Sequence, residues 1–452
     1  MSKLWIFVAI AFVPLVIAYP FISEEDASYQ VNLNMESDDS SVTTDDDDYG
    51  NDVKFELDNK EEWVIADGEG IVRSMNPYRL YRGQSHFALS MLKAMTKQNP
   101  QNNQIFSPHS TYRALLIAYF GTEGQSMKSL GKSMYMDWAD DKKYNARSYK
   151  AELMARSERF LGQGLQFNSV DRLYVSKEVE LKSHITDLFT DSIKKVDFTD
   201  AEARRQEINA WVEEVTQNHI KDLLPTNSIF PTTKAVLANA AFFKGLWAIR
   251  FNKTNTQKKL FNGAAPAEVE MMTVKDEFSY GVLEKENAAY LEMPYQGEDQ
   301  AITMYVYLPL ENTPNAVDDL VDTMTMETIQ EAFRGEIPQE VDVQFPKMAL
   351  EGNYELKNIL EKMGIKNLFG SPLTGYSDEA SLSFDDMVHK AKLEIDEDGS
   401  VAAAATSTMS RSMTFMQPEP VQFHCDRPFV FMINDRVSHE VLFAGVYRGP
   451  NN

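Results

Sequence analysis

Cysteine is nearly missing from this chain: Cys425 is the single thiol in 452 residues. No intramolecular disulfide can form, so stability must come from packing, and the small disulfide-stapled classes are excluded. Cys425 follows Phe423 by two residues in an extended pattern, which predicts a buried strand thiol rather than a reactive one. A membrane-spanning apolar run is missing too. The run Leu4 to Ile17, behind Met1-Ser2-Lys3, is shorter than the roughly 20 residues a spanning helix needs, and no later segment qualifies. It has instead the charged start, short apolar middle and small-residue end (Val16-Ile17-Ala18) of a secretory signal. Residues 1–18 are therefore expected to be removed, leaving a secreted, extracellular chain that begins at Tyr19 and is held in no membrane.

Basic residues are scarce. The 44 Lys and Arg against 68 Asp and Glu leave a formal net charge of -24, which argues against nucleic acid as a partner. The region Met127 to Lys150 mixes Lys128, Lys132, Lys142 and Lys143 with Asp137, Asp140 and Asp141, so it forms no basic stripe for a polyanion. Catalytic and cofactor signatures are also missing. Ser407 and Ser410 lack a Gly-x-Ser-x-Gly setting, and His439-Glu440 lacks the second histidine of a zincin helix. Gly162-Gln163-Gly164 and Gly68-Glu69-Gly70 lack the third glycine of a phosphate loop. Asp396-Glu397-Asp398-Gly399 imitates part of a calcium loop, but the bidentate glutamate would fall at Ala405. An enzyme, a metal site and a cofactor are accordingly not expected.

What is present begins with acidic charge crowded at the mature N-terminus, including Asp45 to Asp48, opposed there by Lys54 and Lys60 alone. Like-charge repulsion predicts an acidic, disordered extension over residues 19–75, densest up to Asp67. It reads either as a solubilising tail or as one that docks on a basic partner surface, with Tyr49, after four aspartates, a sulfation candidate. From about Asn76 the composition is that of a globular domain, 76–452. Helical spacing recurs through Phe87, Leu89, Met91, Leu92 and Met95, and again over Ile208 to Leu224. Val236 to Phe243 predicts a buried strand. Ala289–Pro294 with Ala301–Pro309 predicts one hairpin, and Val421–Ile433 with Glu440–Tyr447 another. Helices mixed irregularly with hairpins, and no fixed repeat, imply an α+β domain with large antiparallel and mixed sheets and surrounding helices. Asn252-Lys253-Thr254 matches the N-glycosylation pattern, so Asn252 is expected to carry a glycan.

The segment Glu397 to Thr406 stands apart. It follows a period-2 stretch, and if Ser400 to Met413 became extended, Ser400, Ala402, Ala404, Thr406, Thr408 and Ser410 would share one face. All are small, so that face could enter between two strands without overpacking.

These features meet in a family resemblance. Phe423-His424-Cys425-Asp426-Arg427-Pro428-Phe429-Val430-Phe431-Met432-Ile433 resembles the C-terminal signature of serpins, and Asn239-Ala240-Ala241-Phe242-Phe243-Lys244-Gly245-Leu246-Trp247 resembles the third strand of their sheet A. Ile105-Phe106-Ser107-Pro108-His109-Ser110 resembles the start of helix B, and Val388-His389-Lys390-Ala391 resembles strand five. The resemblance implies the serpin fold with an exposed reactive-centre loop at about 397–420. It also implies a shutter of Ser107, Ser110, Asn239 and His389, and a breach formed by Trp247 with the pair Lys347 and Glu397. The implied activity is inhibition of serine proteases of the chymotrypsin fold in an extracellular cascade, by a monomer that acts as a decoy. The protease acylates itself on the loop, which then adds to sheet A before water completes turnover. The hinge would be Glu397, Gly399, Ser400, Ala402, Ala403, Ala404 and Ala405, free of bulky, charged or proline residues from Gly399 onward. Family loop length places the reactive bond at Met413-Thr414, suiting an apolar primary pocket. Arg411-Ser412 competes, because its guanidinium suits trypsin-like enzymes. A serpin-fold carrier or storage protein is the alternative.

Overall fold

The computed structural model describes residues 78–136, 142–159, 165–297, 300–378, 382–384, 387–399 and 419–450. The sequence-predicted signal segment, acidic extension, Tyr49, hinge residues Ser400 and Ala402–Ala405, and both candidate reactive bonds (Met413-Thr414 and Arg411-Ser412) lie outside the described residues. Helices α1 (Tyr78–Gln98), α2 (Pro108–Gly121), α3 (Gly124–Ser133), α4 (Lys142–Arg159), α5 (Ser183–Leu188), α6 (Ala201–Val215), α7 (Ala316–Thr323), α8 (Met326–Arg334) and α9 (Lys357–Lys362) are distributed among strands. The strands are β1 (Gln104–Phe106), β2 (Leu165–Ser176), β3 (Ile193–Val196), β4 (Ala235–Gly245), β5 (Gln257–Phe261), β6 (Ala267–Phe278), β7 (Tyr280–Leu283) and β8 (Ala288–Pro294). They continue with β9 (Ile302–Pro309), β10 (Gln339–Pro346), β11 (Met348–Glu355), β12 (Val388–Ile395), β13 (Val421–His424), β14 (Phe429–Asp435) and β15 (Val441–Tyr447).

Three sheets result: β1-β15-β14-β9-β8-β7, β13-β10-β6-β5 and β11-β12-β4-β2-β3. The predicted hairpins form as β8 with β9 and β14 with β15, both antiparallel. The expected continuous strand Val421–Ile433 is divided, however. Pro428, which cannot donate to a ladder, and the hydrogen-bonded pair Asp426–Arg427 separate β13 from β14, and β13 pairs in parallel with β10 in a different sheet. Helix α6 also departs from its predicted bounds. It begins at Ala201, where the Asp200 carboxylate accepts from the Ala203 amide, and ends at Val215. Beyond it Gln217 and Asn218 take positive φ, so His219 to Leu224 continue the apolar spacing in a turn rather than in a helix.

The five-stranded sheet positions everything of functional interest. Strand β4 is buried along almost its whole length because both faces are covered. Leu237, Ala241 and Phe243 join the large cores on one side, while Ala238, Ala240 and Phe242 pack with Ile208 and Val212 of α6 on the other. Strand β12 alternates half-buried and buried residues, the period-2 pattern expected of it. Its neighbours differ in direction. It runs antiparallel to β11 but parallel to β4, with His389 opposite Asn239 and Leu393 opposite Phe243. Helix α2 crosses the inner face. Every one of its residues is buried, as a helix enclosed on all sides requires.

Candidate functional site

Helix α2 is started by Ser107, whose hydroxyl caps it by accepting from the Ser110 amide at 3.1 Å, with Pro108 in the first turn. The same hydroxyl donates to the Leu442 carbonyl at 2.7 Å, fastening the helix to β15. The Ser107 amide donates to His389 Nε2 at 2.9 Å. Nε2 is therefore an acceptor and the ring proton is on Nδ1, which donates to Asn239 Oδ1 across the β4–β12 seam. Complete burial pushes the His389 pKa down to about 3, which keeps this ring neutral. Asn239 Nδ2 donates to Ser110 Oγ at 2.6 Å and to Asp171 Oδ1 at 2.8 Å. The four predicted shutter residues thus form one fully buried hydrogen-bonded group.

Register explains why they meet. Asp171, Asn239, His389 and Tyr354 are opposite one another on β2, β4, β12 and β11, a single row across the sheet beneath α2. Tyr354 stacks on His389 with ring centroids 6.4 Å apart, and its hydroxyl accepts from the Ile105 amide. Asp171 was not foreseen from sequence. The signal was there: a carboxylate between Val170 and Leu173, in a strand that must be covered on both faces, demands partners.

At the far end of the seam, β12 continues into Asp396–Gly399, which closes on itself as a bridge between Asp396 and Gly399. The turn is tied to the chain leaving β4. Trp247 donates from Nε1 to the Asp396 carbonyl at 3.1 Å and from its amide to the Asp398 carbonyl at 3.0 Å. The Phe251 amide donates to the Glu397 carbonyl at 3.0 Å. Trp247 itself is buried and stacks on Tyr295 at 4.4 Å. Gly399 has φ of 104°, and a Cβ there would fall 2.2 Å from the Gly245 carbonyl oxygen, so glycine is required.

The predicted pair Lys347–Glu397 is present at 3.2 Å. Its acidic partner is sequestered, the Glu397 side chain being 5% exposed. Burial disfavours its charge. Hydrogen bonds from Thr256 Oγ1 at 2.7 Å, from backbone and from Lys347 outweigh that and hold its pKa below the usual carboxylate range. Lys253 adds a second ion pair, to Asp398 at 2.6 Å. Neither Lys253 nor Thr256 was singled out beforehand. Lys253 is the middle residue of the sequon and Thr256 lies just beyond it; Asn252 is exposed, with its side-chain Oδ1 accepting from the Thr254 amide and hydroxyl. Cys425 is buried as expected, and burial pushes its thiol well above the ordinary range.

The arrangement has one geometric capability. Because β4 and β12 run parallel, a chain that turned back at Gly399 would run antiparallel to both and could pair with both. Antiparallel ladders are also slightly the more stable per residue. The seam is closed here by the β4–β12 ladder, with a glycine turn at one end and a side-chain bond, Asn239 to His389, near the other; parted, it would admit one strand.

Comparison with known proteins agrees with this geometry. A family profile described as "Serpin (serine protease inhibitor)" matches residues 82–450. The chain is 35% identical over 390 residues to "Serine protease inhibitor 88Ea" of Drosophila melanogaster, covering 82% of this chain and 91% of that one. It is 31% identical to "Leukocyte elastase inhibitor" of Xenopus laevis, covering 81% and 98%. Among solved structures, that of native protease nexin-1 with heparin matches with a TM-score of 0.71 and 26% identity over 83% of this chain and 100% of that one. That of Serpin48 from the insect Tenebrio molitor has a TM-score of 0.69 at 24% identity, covering 82% and 98%, a likeness of fold. With a family profile spanning the globular domain and the serpin architecture in place, this chain belongs to the serpin family, the family of serine protease inhibitors.

Proposed function

We propose that this chain is a secreted, monomeric suicide-substrate inhibitor of chymotrypsin-fold serine proteases in an extracellular cascade, with Met413-Thr414 as its reactive bond. The observation that carries the reading is the parallel β4–β12 seam with Gly399 at its mouth. In the first step the protease serine attacks the Met413 carbonyl carbon, the bond to the Thr414 nitrogen breaks, and Thr414 leaves as a new amino terminus carrying the proton. The acyl-enzyme ester remains. The freed segment beyond Gly399 then enters the seam, breaking the Asn239–His389 bond and carrying the esterified protease away from the geometry that water needs. A methionine before the cleaved bond suits an apolar pocket, and the name of the Xenopus relative, an elastase inhibitor, is in keeping with an elastase- or chymotrypsin-like target. Asn252, exposed on an Asx turn beside the hinge, is proposed to carry an N-glycan, which mass measurement before and after glycosidase treatment would reveal.

The test is electrophoresis under denaturing conditions after mixing with chymotrypsin, elastase and trypsin. The expected result is a covalent adduct with an apolar-pocket enzyme and a released C-terminal peptide that begins at Thr414. A peptide that begins at Ser412 transfers the reactive bond to Arg411. Clean cleavage without adduct from all three enzymes overturns inhibition in favour of a carrier or storage role.

A further inference from the structure

Beneath the shutter lies a charge cluster that the mechanism above does not use. Arg113 on α2 donates from Nε to Asp171 Oδ2 at 3.1 Å and from Nη1 to Glu152 Oε2 of α4 at 2.5 Å. Its Nη2 reaches the Tyr149 hydroxyl at 3.4 Å. All three charged side chains are buried, at 7%, 3% and 6% exposure for Arg113, Glu152 and Asp171. Asp171 is the connecting group. Besides Arg113 it accepts from Ser110 Oγ, Asn239 Nδ2 and Ser169 Oγ, so one carboxylate joins the ion pairs to the amide that bridges the seam.

Resting on the proposed function, we infer that Arg113, held by Glu152, is a positioning residue that acts through Asp171 as a brake on opening of the seam. The mechanics follow from connectivity. Strand β2 is laddered to β4 along Leu165–Val175, so the two shift together when β4 and β12 part. Helix α2 is fastened to the other half, through Ser107 to His389 of β12 and to Leu442 of β15. Parting the halves therefore stretches whichever bonds tie α2 to β2. Those bonds are charge-assisted, which makes them roughly twice as strong as the neutral ones elsewhere in the shutter, and the side chains that make them are buried. The hydroxyl and amide groups can exchange partners as the strands move. A guanidinium fixed between two carboxylates cannot.

The test uses the intact protein and a synthetic peptide of residues 400–413, fluorescently labelled. Its uptake into the uncut molecule is followed by native electrophoresis. Asp171→Asn keeps an oxygen acceptor toward Ser110 and Asn239 but removes the charge toward Arg113, and it is expected to accelerate uptake roughly five- to ten-fold. Asp171→Glu, with the charge retained, is expected to stay nearer the original rate. An Ile329→Val variant in α8, away from the seam, serves as a control for loss of overall stability and should not accelerate uptake. Equal rates for Asp171→Asn and the unaltered protein, or for Asp171→Asn and the control, overturn the brake while leaving the proposed function in place. No uptake by the unaltered protein overturns both. Should Asp171→Asn fail to fold, Arg113→Lys keeps the charge but loses the fork, and an uptake rate unchanged from the original overturns the inference equally.

Discussion

His389 depends on one proton being in one place. Protonating Nε2 would take away the acceptor of the Ser107 amide and put a charge where none can be solvated, which is why burial holds its pKa down at about 3. An unfolded imidazole titrates near 6.5, so its contribution to stability is complete above about pH 6.5 and is lost progressively as pH falls toward 3. The melting temperature should therefore fall over that interval, and His389→Gln should flatten the dependence while lowering stability at pH 7. Calorimetry from pH 7 to pH 4 measures both. At Gly399 the constraint is steric. Gly399→Ala is expected to cost about 1–3 kcal/mol in urea unfolding, because a side chain at φ of 104° would also push the turn off Trp247. Individual roles were legible where a residue stood in a segment that carries the family resemblance, as with Asn239 and His389. Asp171, Lys253 and Thr256 were harder to see, since their meaning comes from cross-strand register and from a turn that brings residue 253 against residue 398.

Among the elements, α2 illustrates how a local signal and a distant contact coincide. Ser107 is both its N-cap and its fastening to β15, so Ser107→Ala should cost more than the roughly 1 kcal/mol of a cap alone. A lowered urea midpoint with an unchanged slope is the expected readout. The proposed inserting segment makes a sharper prediction. Ala404→Glu would place a carboxylate on the small-residue face, and burying an unpaired charge there is prohibitive, so adduct formation should give way to clean cleavage. Densitometry of adduct against cleaved product decides it. Element type was readable from periodicity, and the buried strand at β4 and the hairpins β8–β9 and β14–β15 form as expected. Boundaries were less so. The apolar spacing of His219 to Leu224 belongs to a turn, and Pro428 cuts a strand that alternation alone would run together.

For the molecule as a whole, the proposal implies a native state short of its lowest free energy. A strand that pairs on both sides gains on the order of ten backbone hydrogen bonds, each worth about 1 kcal/mol net, so cutting the loop should raise the melting temperature substantially. An unchanged value would count against insertion. Sheet order was the least legible property of all, because which strands become neighbours depends on contacts between segments far apart in the chain, as β1 with β15 and, at a shorter separation, β10 with β13 illustrate. The two ends of the proposed loop in fact belong to different sheets, β12 leading out of one and β13 into another. From β13 onward the chain downstream of a scissile bond between them is laddered into two sheets, β13 beside β10 and β14 and β15 in the six-stranded sheet, where every residue of β14 and β15 is buried. A severed molecule would therefore travel as one particle through a sizing column, its wound invisible until a denaturant let the tailpiece go.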